Sequence, residues 1–201
     1  MNQIGARLES EAFEANGWTV VRLEGVEEIS RPFAFTLTIS RDGETPSLDD
    51  VVGEELAVIV QVDGVDQRRF TGMIREVRRR AAPNGRATLE LSIVPRMTRA
   101  QFVTNVRVHV AERDRDIVRQ RLSLVGLDDA DVQTRTSATD DARDIVIQYR
   151  ETDFDFVSRL LERDAVAYYS SPRAARRRPR HDGLRVGVRA ARRTAPLSRP
   201  R

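Results

Sequence analysis

Residues 33–40, FAFTLTIS, predict a β-strand with one apolar face. Phe33, Phe35, Leu37 and Ile39 occupy every second position, and alanine or small polar residues separate them. Because strand side chains alternate between the two faces of a sheet, this period of two places four large apolar groups on one side. We therefore expect these residues to line the core of a β structure.

Four further strands are predicted around this one in the first hundred residues, at 18–24, 56–62, 68–77 and 88–94. Asp63-Gly64 separates two of them and is typical of a tight hairpin turn, since both positions tolerate positive φ. Pro83-Asn84-Gly85 is a second turn signal. Strands this closely spaced, with little helix between them, predict a small antiparallel sandwich or closed barrel.

The pattern changes after Pro95 to helices alternating with single strands. Asp114 is a candidate cap for a helix in which Val118, Leu122 and Val125 recur at helical spacing, and Gly126 suits a left-handed end to it. A short strand is predicted at 145–149.

A second helix is predicted to start at Thr152, because Thr152 and Asp155 have the T-x-x-D spacing of a capping box. Apolar residues then recur on one side of this helix, and Asp155 is spaced to pair with Arg159 one turn on. The apolar residues are Phe154, Phe156, Val157, Leu160 and Leu161.

Charge divides the chain at residue 170. All 34 cationic residues are arginine, and residues 170–201 hold 11 of them against one acid, Asp182. Residues 1–169 hold the other 23 against 30 acids, so the body is mildly acidic. The tail has almost nothing to bury, which predicts disorder. Its abrupt start, in a chain without lysine, leads to the hypothesis of a reading-frame shift near Ser170.

Composition excludes several kinds of chemistry. The absence of cysteine excludes disulfides, thiolate metal sites and cysteine nucleophiles, and two histidines are too few for a His-rich metal site. No phosphate-binding, zinc-hydrolase or serine-hydrolase motif is present. Acid pairs such as Asp49-Asp50 and Asp128-Asp129 are typical of loops and caps, although an enzyme with an unrecognised carboxylate site stays open. We expect no catalytic residue, metal or cofactor, no membrane-spanning segment and no signal peptide.

A different class of function is suggested by the basic tail. Eleven arginines in 32 residues would attract a polyanion such as nucleic acid, with steep salt dependence. The tail has no aromatic residue for base stacking. Because of its arginine content, polyanion binding through this tail is the alternative function.

Residues 147–162, IQYRETDFDFVSRLLE, resemble a highly specific segment of the VgrG proteins, the spikes of type VI secretion, which are related to contractile phage tail hubs. Residues 28–35, EISRPFAF, are similar to that family's entry into an early strand. Weaker matches at 52–53, 69–72 and 110–122 lie in the same order, so the resemblance covers about 13–169. After Asp164 the family usually continues with another strand pair, whereas only residues 165–169 fit here.

The resemblance implies a mainly β chain with α+β character. We expect a first small antiparallel β-barrel at 1–110, the start of an incomplete α/β subdomain at 111–169, and the disordered basic tail at 170–201. In the family this region is part of a trimeric hub between tail tube and spike, so the implied partners are two further copies, the tail tube and baseplate proteins. The implied function is structural and non-catalytic, in a cytoplasmic protein whose family is exported through the contractile apparatus.

The resemblance and the apolar periodicity together indicate that the important residues of this chain have a packing role and not a reactive one. We predict that the structural and interface candidates are Phe33, Phe35 and Leu37 in the barrel, and Phe154, Phe156, Arg159, Leu160 and Leu161 in the second helix.

Overall fold

The computed structural model of the chain describes residues 3–10, 17–45, 47–49, 51–81, 85–128, 131–132 and 141–169. The predicted disordered tail at 170–201 and most of the predicted turn at 83–85 lie outside these residues.

Six strands form one antiparallel sheet in the first part of the chain. They are β1 (Ile4–Ser10), β2 (Thr19–Val26), β3 (Ala34–Arg41), β4 (Glu55–Val62), β5 (Val65–Arg80) and β6 (Ala87–Val94). Their order in the sheet is β1-β4-β5-β6-β3-β2. The two edge strands, β1 and β2, approach each other without pairing, so the sheet curls into a half-barrel and does not close as the sequence predicts. The predicted mainly β fold is confirmed.

The apolar side chains that the alternating pattern predicted to share one face meet on the inner side of this curled sheet. Phe33, Phe35, Leu37 and Ile39 are buried together with residues of β4 and β6. The hairpin between β4 and β5 turns through Asp63 and Gly64, at φ 51° and 78°, as the sequence predicts. The local turn and the global core therefore specify the same register.

A second, smaller unit follows Pro95. It contains a 3-10 helix (Arg96–Phe102), β7 (Thr104–Glu112), α1 (Asp114–Ser123), β8 (Arg143–Thr152) and α2 (Asp153–Arg163). Strands β7 and β8 form an antiparallel two-stranded ribbon. Residues Met97, Ile117, Leu122, Phe156 and Leu160 form a second core, separate from the first.

Strand pairing places the change of architecture near residue 95. Residue 110, the predicted limit of the first barrel, lies inside β7, where Val110 pairs with Ile145 of β8. β7 thus belongs to the second sheet and not to the first. The division into domains at 110 and 169 stays a prediction, and strand pairing favours the earlier boundary.

The two units contact each other through polar groups beside their cores. The Arg99 guanidinium donates to the Gly53 carbonyl at 3.2 Å, and Arg96 forms an ion pair with Glu55. At the end of the described chain, the Ser30 amide donates to the Tyr168 carbonyl at 2.7 Å. Residues 166–169 form no regular secondary structure, and this hydrogen bond ties their backbone to the first unit.

We expect Phe35→Ala to lower the free energy of unfolding by about 3–5 kcal/mol, because it removes a buried ring and leaves a cavity. The Phe35 ring lies 4.7 Å from that of Phe70 and 5.1 Å from that of Phe33. Urea unfolding followed by circular dichroism measures the change.

The matched control is Phe102→Ala, which removes the same ring at a position 73% exposed. This control should change stability by less than about 1 kcal/mol. Equal losses in the two variants would contradict the assignment of Phe35 to the core.

Candidate functional site

The junction of β8 and α2 carries the most distinctive polar network. The buried Gln148 side chain donates from Nε2 to the Asp153 carboxylate at 2.8 Å, and Asn105 on β7 donates to the same oxygen at 2.9 Å. The Asp153 amide donates to the Val103 carbonyl at 2.8 Å. One carboxylate therefore joins both strands of the ribbon to the first turn of α2, where a negative charge also complements the helix dipole.

The start of α2 agrees with the predicted capping box. Thr152 is the N-cap residue, and its hydroxyl oxygen accepts from the Asp155 amide at 3.0 Å. The same hydroxyl donates to the Asp155 carboxylate at 2.6 Å.

Arg159 has different partners from the one predicted. Its guanidinium donates to the Ile147 carbonyl at 3.0 Å and pairs with Glu151 at 2.5 Å, not with Asp155. The hydrogen bond to Glu151 raises the pKa of Arg159 above its ordinary value. The expected one-turn pair is wrong because Asp155 is occupied by the cap, and because Glu151 at the end of β8 lies within reach.

The eight predicted structural candidates divide between the two cores. Phe33, Phe35 and Leu37 belong to the first core, and Phe156 and Leu160 to the second. Phe154 and Leu161 pack against the second core while partly buried, and the Arg159 guanidinium lies 5.3 Å from the Phe156 ring. The structure brings the members of each core together but does not join the two sets. Their role as interface residues stays a prediction.

Two glycines permit close packing inside the first unit, which the sequence analysis did not predict. A Cβ at Gly72 would lie 2.6 Å from the Ile93 side chain and 2.8 Å from the Val94 carbonyl oxygen. A Cβ at Gly25 would lie 1.9 Å from the Phe35 ring. Both positions therefore require glycine for space.

A cluster of acids and arginines joins the start of α1, the start of β8 and the end of α2. Asp114, expected to cap α1, is instead its first residue, and its buried carboxylate pairs with Arg143 at 2.9 Å and with Arg163. Arg143 also pairs with Asp164 at 2.9 Å. Burial, followed by the neighbouring Asp114 carboxylate, raises the pKa of Asp164 above its ordinary value.

The outer face of the ribbon is the largest feature that the sequence analysis missed. Three cross-strand pairs present apolar side chains away from the second core, and all six are between 52% and 63% exposed. The pairs are Val106 with Tyr149, Val108 with Ile147, and Val110 with Ile145. The alternation of valines in β7 and of large apolar residues in β8 was the available signal.

The described residues do not assemble a metal centre: none of their His, Asp and Glu side chains form a group of three that could hold an ion. Within the same residues, no helix is long and apolar enough to cross a membrane.

Comparison with known proteins gives consistent matches. Residues 26–182 match the family model of the phage tail baseplate hub (GPD). The chain is similar to two type VI secretion system spike proteins of Pseudomonas aeruginosa, VgrG1b at 26% identity over 148 residues and VgrG1c at 27% over the same length. These alignments cover 74% of this chain but 20% of each relative, so the chain spans about one fifth of their length.

Solved structures share the fold at low sequence identity. The E. coli c3393 protein, a component of the type VI secretion system, aligns with a TM-score of 0.62 at 18% identity, over 84% of this chain and 42% of that one. The tail protein of Neisseria meningitidis MC58 aligns with a TM-score of 0.62 at 16% identity, over 96% and 52%.

We expect Gln148→Leu to lower the free energy of unfolding by about 2–3 kcal/mol, because it removes a donor from a buried carboxylate. The matched control is Gln61→Leu, whose amide donates to Asp66 at 2.7 Å at an exposed position. The control should cost less than about 1 kcal/mol. Chemical unfolding of both variants measures the difference, and a smaller loss at Gln148 would contradict the central role of this junction.

Asp164→Asn should change the pH dependence of stability. A carboxyl whose pKa is raised on folding binds more protons in the folded state, so the stability that it contributes is lost as pH rises through that pKa. Since asparagine does not titrate, the variant should gain stability relative to the wild type as pH rises from about 4, the ordinary pKa of an aspartate, through the raised pKa of Asp164.

Urea midpoints at several pH values measure this difference, and Asp114→Asn is the comparison variant. Asp114→Asn should destabilise the chain at neutral pH, because two arginines lose their shared carboxylate. A constant difference between Asp164→Asn and wild type across the range would contradict the raised pKa of Asp164.

Proposed function

This chain belongs to the phage tail baseplate hub (GPD) family, and we propose that it is the N-terminal hub portion of a type VI secretion spike of the VgrG kind. In this proposal three copies contribute to a ring between the tail tube and the spike. The single observation that carries the proposal is the family match over residues 26–182, which includes the second core, the β8–α2 junction and the buried residues of the first core other than Leu8 and Trp18.

The proposed mechanism is mechanical and makes or breaks no bond. A hub must transmit force between a tube and a spike without deforming. Closely packed sheets suit this task, since protein interiors have low compressibility and pass strain on. Gly25 and Gly72 bring neighbouring side chains and backbone into direct contact, and the Asp153 network locks the ribbon to α2. These features favour a stiff element over a binding pocket.

Export through the contractile apparatus and contact with tail tube and baseplate proteins are part of the same proposal. They rest on the similarity to spike proteins of Pseudomonas aeruginosa, of which the chain spans one fifth. The alternative function is polyanion binding through residues 170–201, which lie outside the residues that the structure describes. No contact of the described residues favours polyanion binding.

A chimera tests the proposal. The segment of Pseudomonas aeruginosa VgrG1b that aligns with this chain is replaced by the corresponding residues of this chain, in a strain that lacks its own copy. We expect the chimera to reach the culture medium when the secretion system is active, because the hub portion supplies a compatible fold. Immunoblots of medium and cell fractions measure export.

The matched control is the same chimera carrying Gly72→Leu, which forces a side chain into the Ile93 contact and should abolish export. A chimera that is folded and abundant in cells, yet absent from the medium while the native spike is exported, would contradict the proposed function.

A further inference from the structure

The outer face of the β7–β8 ribbon is apolar, although antiparallel sheets that face water on one side normally carry polar residues there. Its three cross-strand pairs, centred on Val108 and Ile147, are more than half exposed. The inner face instead carries the buried side chains of His109 and Gln148. Because exposed apolar surface of this kind is unfavourable in water, its polarity indicates that another surface covers it.

The size of this face limits what can cover it. The six side chains present on the order of 600 Å² of apolar surface, the upper end for one patch on a monomer. Pairing that patch with an equal one would bury about 1,200 Å² in total, the lower limit for a stable complex of separate proteins. Contacts between domains of one polypeptide are commonly of this size, because the link keeps the effective concentration high. The size therefore favours a tethered partner over a free one.

One end of the face carries a positive charge. The Arg150 guanidinium lies 5.4 Å from the centroid of the Tyr149 ring, and among the described residues Arg150 has no ion-pair partner. The covering surface is therefore apolar, with a carboxylate or carbonyl oxygen opposite Arg150. Residues 170–201 do not fit this description, since they hold 11 arginines and one acid. The same face of a second copy does not fit either, because self-pairing closes at two copies and builds no ring of three.

We propose that this face is covered by the part of the spike polypeptide that lies outside the aligned fifth of the VgrG relatives. The chain spans about one fifth of those relatives and about half of the solved tail proteins, so each of them carries further polypeptide beside the shared fold. That polypeptide is tethered to the ribbon, as the size of the face requires. The inference rests on the proposed hub function, because it takes the partner from the same spike.

Thiol labelling tests this contact, since the chain has no cysteine of its own. Val108→Cys is introduced into the free chain and into the VgrG1b chimera, and its reaction with a maleimide is followed by mass spectrometry of the peptide that contains it. We expect rapid labelling in the free chain. In the chimera we expect labelling to be roughly 10-fold slower or more, because the covered thiol reacts only on local opening.

Matched positions control for folding and for reactivity. Ile147→Cys, on the strand paired with Val108, should show the same protection in the chimera. Val65→Cys, at a valine 60% exposed in the β4–β5 hairpin, should react rapidly in both proteins. Ile117→Cys, at a fully buried position of the second core, should be protected in both, which shows that each protein is folded.

A photoreactive side chain identifies the covering surface. Val108→p-benzoylphenylalanine in the chimera should crosslink, on irradiation, to a peptide from the VgrG1b portion. Mass spectrometry of the crosslinked peptides identifies the partner. A crosslink only to the grafted segment of a neighbouring copy would overturn the proposal, because the cover would then be another copy of this chain.

Two labelling results would also overturn the proposal. One is equal rates for Val108→Cys in the free chain and in the chimera, with Ile117→Cys still protected. The other is protection of Val108→Cys already in the free chain at micromolar concentration.

Export of the chimera reports separately on the hub function. A chimera that is exported while Val108→Cys reacts freely overturns the ribbon contact and leaves the hub function standing. A folded chimera that protects Val108→Cys, yet is not exported, contradicts the hub function and supports the ribbon contact.

Discussion

The second unit depends on the hydrogen bonds that the buried Asp153 carboxylate accepts. This carboxylate lies at the first residue of α2, fully enclosed, and receives hydrogen bonds from Asn105 on β7 and Gln148 on β8. A buried carboxylate is costly unless polar groups surround it, so the cost of losing either amide is high. That cost fixes the angle at which α2 leaves the ribbon. The fixed angle in turn places Phe156 and Leu160 in the second core.

Residues with a regular period were the predictable part of this chain. Phe33 to Ile39 and Leu89 to Ile93 show the period of two, Thr152 and Asp155 show the spacing of a cap, and Asp63-Gly64 shows the turn. In each case the local preference agrees with the global fold, which is the condition under which sequence reasoning works. The resemblance of residues 147–162 to the spike proteins agrees with the family match over residues 26–182.

The remainder depended on contacts that a linear pattern does not contain. Strand β1 was not predicted, because Leu8 is its one buried side chain and its pairing with β4 joins residues some fifty positions apart. The partner of Arg159 was assigned wrongly because Glu151 precedes the helix and is brought close by the bend at Thr152. The need for glycine at residue 72 arises from Ile93, on a neighbouring strand.

The ribbon shows how the two kinds of information combine. Its alternating residues predict two strands, but alternation alone does not say which face lies inside. Hydrophobicity alone would favour burial of Val106, Val108 and Val110 on β7. The structure instead buries His109 on β7 and Gln148 on β8, since the Asp153 network requires Gln148 to point inward. Because side chains alternate, that single polar requirement turns Ile147 and Tyr149 outward together with their partners on β7. An apolar outer face is thus a direct consequence of the buried carboxylate, and an assembly protein can use such a face as an interface at no cost to its own core.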